Sequence, residues 1–263
     1  MSVRRRRRRR RHDGQGFPEL WRRILALRVG SWSSLVPGER DRLEELVLQL
    51  LGGKRWMPAH GFELTEDVMV TIAGHAALLV LGDGLGVECY RNVTSIEVHA
   101  STIFIEGEQH TGLPGGLMFD GITTLDGLAE FRGPVFLAWD AVLTDVRHPQ
   151  RGRNVVLHEF AHAIDMLDGT VDGTPPLPRS KLDRWVEVCR AELELLRSDH
   201  ADGLLDGYGA SNPGEFFAVA TEAFFTRPVE LRDNKPALYE ILRDFYRQDP
   251  ATRNTRHEVS GPG

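Results

Sequence analysis

Two histidines stand four residues apart, His158 and His162, and Glu159 follows the first, in the stretch NVVLHEFAHAIDMLDG over 154–169. On a helix each residue rotates by about 100°, so positions four apart project about 40° from one another and both imidazoles face one way. Two neutral imidazole nitrogens so placed can share one zinc ion. Glu159 lies next to that line, placed to take a proton from a water molecule and pass it to a leaving group, the general acid–base role of metal-assisted hydrolysis. Asp165 is seven residues from His158 and three from His162. It falls on the same face, where a carboxylate can orient a ligating imidazole. The competing reading is a core helix that buries Phe160, Ala161, Ile164 and Leu167 with histidines at its margin. Burying two imidazoles and a carboxylate on one turn is costly unless they share a partner, which favours the metal.

A catalytic zinc takes three protein ligands and keeps one position open for water. Cys89 and Cys189 are the only cysteines and form no closely spaced pair, so any metal is held by nitrogen and oxygen. The stretch YGASNPGEFFAVATEAFF, 208–225, offers two carboxylates. Asn212 before Pro213 reads as a helix start with proline at the first helical position, which places Glu215 one turn in. Glu222 lies seven residues on, on nearly the same face. The helix is otherwise packed with Phe216, Phe217, Val219, Phe224 and Phe225, surroundings in which two carboxylates call for a cation. Asn-x-x-Glu is also the pattern of a capping box, so spacing leaves both acids open as the third ligand.

The chain that must position these residues reads as helical from the end of an arginine run to about residue 57. ERDRLEELVLQLLGG there carries Leu43, Leu46, Val47, Leu50 and Leu51 at amphipathic spacing and stops at Gly52-Gly53. From about 64 to 140 the runs DVMVTIAG, ALLVLG, TSIEVHAS, TIFIEGE and PVFLAWD read as strands, with GLPGGLMFDGITTLDG as a loop or irregular hairpin. Beyond 150 the pattern is helical again at 154–168, from 180, at 213–226 and at 235–247, joined by GTVDGTPPLPRS and DHADGLLDGYGASN. Helices, then a central mixed sheet, then helices make an α+β arrangement. At 263 residues and 41% hydrophobic the chain can bury a full core. The expected division is a disordered tail over 1–16 and one domain over 17–250, followed by a second tail over 251–263. Within the domain a helical and sheet part covers 17–150 and a metal-helix part covers 151–250.

The net charge of −6 conceals an asymmetry. Arg4 to Arg11 are consecutive arginines, and without them the chain carries 24 basic against 38 acidic residues, a balance of −14. Such a body is a poor nucleic-acid binder except through the tail, which reads as a self-repelling, disordered terminus. No apolar segment follows the arginines as an export signal requires, and no run approaches 18 apolar residues, so no membrane span is expected. Two cysteines without a framework fit a reducing compartment, and the cytoplasm is the expected location.

HEFAHAID followed by YGASNPGEFFAVATEAFF resembles the Mlc titration factor A family of bacterial zinc peptidases and, more distantly, the catalytic domain of anthrax lethal factor. The likeness to the first extends through RWMPAHGFEL, RGPVFLAWD and GRNVVLHEFAHAID to FYRQDP, about 20–250. It implies a zincin-like fold holding one zinc ion, with His158, His162 and Glu215 as ligands, Glu159 as general base, and Glu222 left in a supporting place. Tyr208, in a YG pair seven residues before Glu215, matches the catalytic tyrosine of lethal factor, whose hydroxyl would hydrogen-bond a developing oxyanion. The resemblance further implies a peptide substrate, with aminopeptidase action on small peptides. The alternative it carries is a regulatory protein that sequesters a transcriptional repressor of sugar uptake, with peptidase activity secondary. The family can place an upstream histidine on the zinc in a resting state; His110 and His99 precede the helix here, and neither aligns with that histidine. His60, His75, His148 and His200 read as non-ligands. GPVFLAWDAVL is expected to supply, over 134–140, a strand whose edge pairs with an extended peptide.

Overall fold

The computed structural model describes residues 16–59, 61–101, 103–105, 123–125, 127–129, 133–198 and 203–253. Helices α1 (Glu19–Arg28) and α2 (Pro37–Gly53) both pack on α3 (Glu66–Leu79). The amphipathic rhythm of α2 is realised: Leu43, Leu46, Val47 and Leu50 are buried.

Helix α3 corrects the reading of DVMVTIAG and ALLVLG as strands. Every residue from Val68 to Leu79 is buried, so the run has no polar face and cannot display a 3.6-residue period. Its β-branched Val68, Val70, Thr71 and Ile72 then imitate strand composition. Thr65 starts the helix, its hydroxyl accepting from the Val68 N–H, with Glu66 and Asp67 in the first turn, where carboxylates complement the helix dipole.

One sheet contains β1 (Arg55–Pro58), β2 (Ser95–His99), β6 (Pro134–Ala138) and β5 (Gly127–Ala129), in the order β1-β2-β6-β5. The first three are parallel, with Ile96 opposite Val135 and Val98 opposite Leu137, and β5 runs antiparallel to β6. The sheet is therefore mixed. Strands β3 (Ile103–Ile105) and β4 (Thr123–Leu125) form a separate antiparallel pair. The expectation of a free edge at 134–140 does not hold among the described residues, because β6 is bonded on both sides. It also ends at Ala138: Trp139 opens α4 (Trp139–Arg147). The outer strands are β1 and β5. Most of GLPGGLMFDGITTLDG lies outside the described residues.

The C-terminal half is helical: α5 (Val155–Asp165), α6 (Arg179–Arg197), α7 (Pro213–Thr226), α8 (Pro228–Asn234) and α9 (Pro236–Tyr246). Helix α5 lies between α3 and α7. Edge-to-face contacts among Trp185, Phe217 and Phe245 fasten α6 and α9 to α7. Ala251 is fully buried and the Arg253 guanidinium pairs with Glu39, so the described structure runs past residue 250. The architecture is α+β, and no helix among the described residues is long and apolar enough to cross a membrane.

Candidate metal centre

Asn154 begins α5: its side-chain oxygen accepts from the Leu157 N–H at 3.1 Å. The helix buries Val156, Leu157, Phe160, Ala161 and Ile164, and the Phe160 ring meets Tyr90 edge to face with centroids 4.8 Å apart. Asn212 does the same for α7, accepting from the Glu215 N–H at 3.0 Å, with Pro213 in the first turn. The Glu215 side chain does not turn back to complete a capping box; its carboxylate reaches the imidazoles of α5.

His158 Nε2 lies 3.2 Å from His162 Nε2 and 3.0 Å from Glu215 Oε2, and His162 Nε2 lies 3.3 Å from that oxygen. Ligand atoms about 2.05 Å from a tetrahedral zinc sit about 3.4 Å from one another, so the triangle has the size of one face of a zinc site. Its chemistry agrees. Glu222 Oε1 lies 2.7 Å from His158 Nδ1, which places the imidazole proton there and leaves the Nε2 lone pair facing a second ring nitrogen and a carboxylate. With His158 neutral, the three facing atoms are all acceptors, a set that a metal ion between them, or a second proton on His158, satisfies. His158, His162 and Glu215 together form a group able to hold a metal ion. The two acids that spacing left open thus differ in place: Glu215 faces the imidazole nitrogens, and Glu222 stands behind His158.

With protein groups alone, burial would push the His158 imidazolium down, but hydrogen bonds with Glu215 and Glu222 outweigh it and hold the pKa well above the ordinary histidine value. Burial likewise opposes charge on Glu215, and hydrogen bonds from His158 and His162 overcome it and hold the carboxyl well below the usual range. Glu159 is 4% exposed, and burial pushes its carboxyl up to about 7 against the attraction of the two histidines. Its Oε2 has no hydrogen-bond partner among the described residues.

Tyr208 sits in a 3-10 turn, Gly207–Ala210, started by Asp206, whose carboxylate accepts the Tyr208 N–H at 2.9 Å. Its ring centroid is 6.3 Å from that of His158. Half the side chain is exposed, yet partial burial, helped by the charges of Glu215 and Glu159, pushes the phenol up to about 12.

Asp165 does not orient an imidazole by any hydrogen bond among the described residues. It lies at the end of α5 and turns to the following loop, where Oδ2 accepts from the Gly173 N–H at 2.9 Å. Gly173 has φ +75°, and a Cβ there would fall 2.3 Å from the Pro213 carbonyl oxygen, so the loop is pressed against the start of α7. His99 lies on β2 and pairs with Glu97 at 3.3 Å, outside the cluster. His75 and His148 are also outside it, whereas His60, His110 and His200 lie outside the described residues. Asn154 is the residue that sequence reasoning passed over. Its signal was an asparagine just before the apolar run of α5.

A family model described as glucose-regulated metallo-peptidase M90 matches residues 3–247. An uncharacterized protein of Synechocystis sp. is 35% identical over 238 residues, covering 89% of this chain and 85% of that protein. Mlc titration factor A of Serratia proteamaculans is 32% identical over 237 residues, covering 88% of each chain. Mlc titration factor A of Yersinia pestis is 31% identical over 243 residues, covering 89% of this chain and 87% of its own length.

Proposed function

Because this chain belongs to the glucose-regulated metallo-peptidase M90 family, we propose that it is a zinc-dependent peptidase that hydrolyses small peptides from the amino end. The observation that carries the reading is the meeting of His158, His162 and Glu215 at 3.0–3.3 Å on two buried helices. These three residues would hold the ion. Bound zinc would supply Lewis acidity, polarising the scissile carbonyl and acidifying the attacking water. Glu159 takes the proton of that water and delivers it to the leaving amine. Its burial, which raises the proton affinity of the carboxyl, suits a group that first takes and then gives up a proton. The Tyr208 phenol keeps its proton at neutral pH and donates a hydrogen bond to the carbonyl oxygen as negative charge develops on it. Free thiols at Cys89 and Cys189 support a cytoplasmic site of action.

A second reading has its own observation: relatives that match nearly the full chain bear the name Mlc titration factor A. In that reading the chain sequesters a repressor by protein contact and peptide cleavage is secondary. The test is cleavage of a panel of short peptides, with free and blocked amino ends, by the protein as purified, after chelation and after zinc is restored. The peptidase reading predicts cleavage that is lost on chelation, returns with zinc and requires a free amine. Cleavage indifferent to chelation refutes the zinc mechanism, and equal cleavage of blocked peptides refutes the aminopeptidase assignment.

A further inference from the structure

A hydrogen-bonded chain runs behind the metal cluster and joins the N-terminal helices to it. It starts at the Arg28 carbonyl, at the end of α1, which lies 3.1 Å from Nε2 of His75 on α3. His75 Nδ1 lies 3.1 Å from the Asn154 side-chain nitrogen. The Asn154 main-chain N–H donates to Glu222 Oε2, and the other oxygen of Glu222 meets His158 Nδ1 at 2.7 Å.

Donor and acceptor chemistry fixes the direction of every link. A carbonyl only accepts, so His75 carries its proton on Nε2, and its Nδ1 lone pair then accepts from the Asn154 amide. The same amide's oxygen is taken by the Leu157 N–H, so Asn154 cannot flip without losing both bonds. Glu222 accepts from both sides, which leaves the His158 proton on Nδ1. His75, Asn154 and Glu222 are 5%, 6% and 5% exposed, so no link can be exchanged freely for water. Burial holds His75 neutral, with its pKa lowered to about 4.

We infer that His75 and Asn154 are positioning residues of the metal site: they hold Glu222 where it fixes the His158 tautomer and aims its Nε2 lone pair at the cation. The inference rests on the metal reading of the cluster. It assigns a task to a histidine remote from the ligands and couples α1 and α3 to the site.

The test is zinc affinity, measured by competition with a chelator at a temperature well below the unfolding midpoint of each metal-free variant. His75→Phe removes the acceptor, His75→Asn returns an acceptor oxygen close to the place of Nδ1, and Asn154→Ser keeps a helix cap but loses the amide donor. Loss of a direct partner of a ligating histidine weakens binding roughly 10–100-fold. One link further out, His75→Phe and Asn154→Ser are expected to weaken it roughly 3–10-fold, with His75→Asn within about twofold of wild type. If His75→Phe fails to fold, Asn154→Ser against His75→Asn makes the same comparison. Wild-type affinity in the folded Asn154→Ser or His75→Phe protein overturns the inference, even if its unfolding midpoint falls. So does an His75→Asn variant as weak as His75→Phe. A wild-type protein that binds no zinc overturns the metal reading itself, a result distinct from undiminished binding in the variants.

Discussion

Glu222→Gln preserves the shape of the side chain and removes one of its two acceptors. The carboxylate accepts from the Asn154 N–H and from His158 Nδ1, the latter at 2.7 Å. A glutamine has one oxygen to give and an amide donor on the other side. If the oxygen serves Asn154, the amide faces His158, whose Nδ1 must become an acceptor. The ring proton then moves to Nε2, where it blocks metal ligation. If the amide is reversed, two buried donors face each other at Asn154. Either way a hydrogen bond to a charged group is lost, worth roughly 1.5–3 kcal/mol. When the loss falls on His158 it is read as metal affinity, a drop of about 10–100-fold, or about 1.4–2.7 kcal/mol. When it falls on Asn154 it is read as stability of the metal-free fold. Chelator competition and urea unfolding of the chelated protein separate the two. The expected result is a folded variant with zinc affinity reduced at least tenfold. A variant within twofold of wild type in affinity, and equal to it in stability, would refute the claim that Glu222 orients His158.

Three other outcomes follow from the same geometry. Tyr208→Phe should lower kcat roughly 100-fold or more while KM and zinc content stay near wild type; a rise in KM alone would place the phenol in substrate binding. His75 has a folded pKa of about 4 against 6.5 for the free side chain, so between those values the unfolded chain binds the extra proton and stability falls as pH falls. That window is worth roughly 3 kcal/mol, and urea unfolding of His75→Phe should show a correspondingly flatter loss from pH 6.5 to 4; parallel curves would contradict the assignment. Gly173→Ala, which puts a Cβ at φ +75° and 2.3 Å from the Pro213 oxygen, should destabilise by roughly 2–4 kcal/mol in chemical denaturation. Wild-type stability there would mean that the loop is not pressed onto α7.

Both helices of the site were legible because each is an apolar run whose polar members fall on one side, and α7 also shows its start in Asn212-Pro213, whereas the Asn154 cap of α5 went unread. The choice between Glu215 and Glu222 was not legible from spacing. Seven residues apart, they share a face, and which one lies against the two Nε2 atoms depends on how α5 and α7 pack together, which spacing does not encode. Asp165 shares the face of the histidines in the same way, but it lies at the helix end and is captured by Gly173. Helix α3 was lost to the opposite cause: burial on every side erased the period that identifies a helix. PVFLA was readable as a strand, whereas its place between β2 and β5 is set by pairing with segments distant in sequence. The His75–Asn154 link spans 79 residues and leaves no local pattern at all.

The most direct test of the central claim sets zinc-loaded wild type beside Glu159→Gln, with zinc content and peptide cleavage measured on the same samples. The variant keeps His158, His162 and Glu215, so both proteins should hold one zinc ion per chain. The wild type should cleave and the variant should be slower by roughly 100-fold or more, the scale of a lost general base. Equal zinc with undiminished cleavage by Glu159→Gln, or a wild type that holds no metal, would contradict the account.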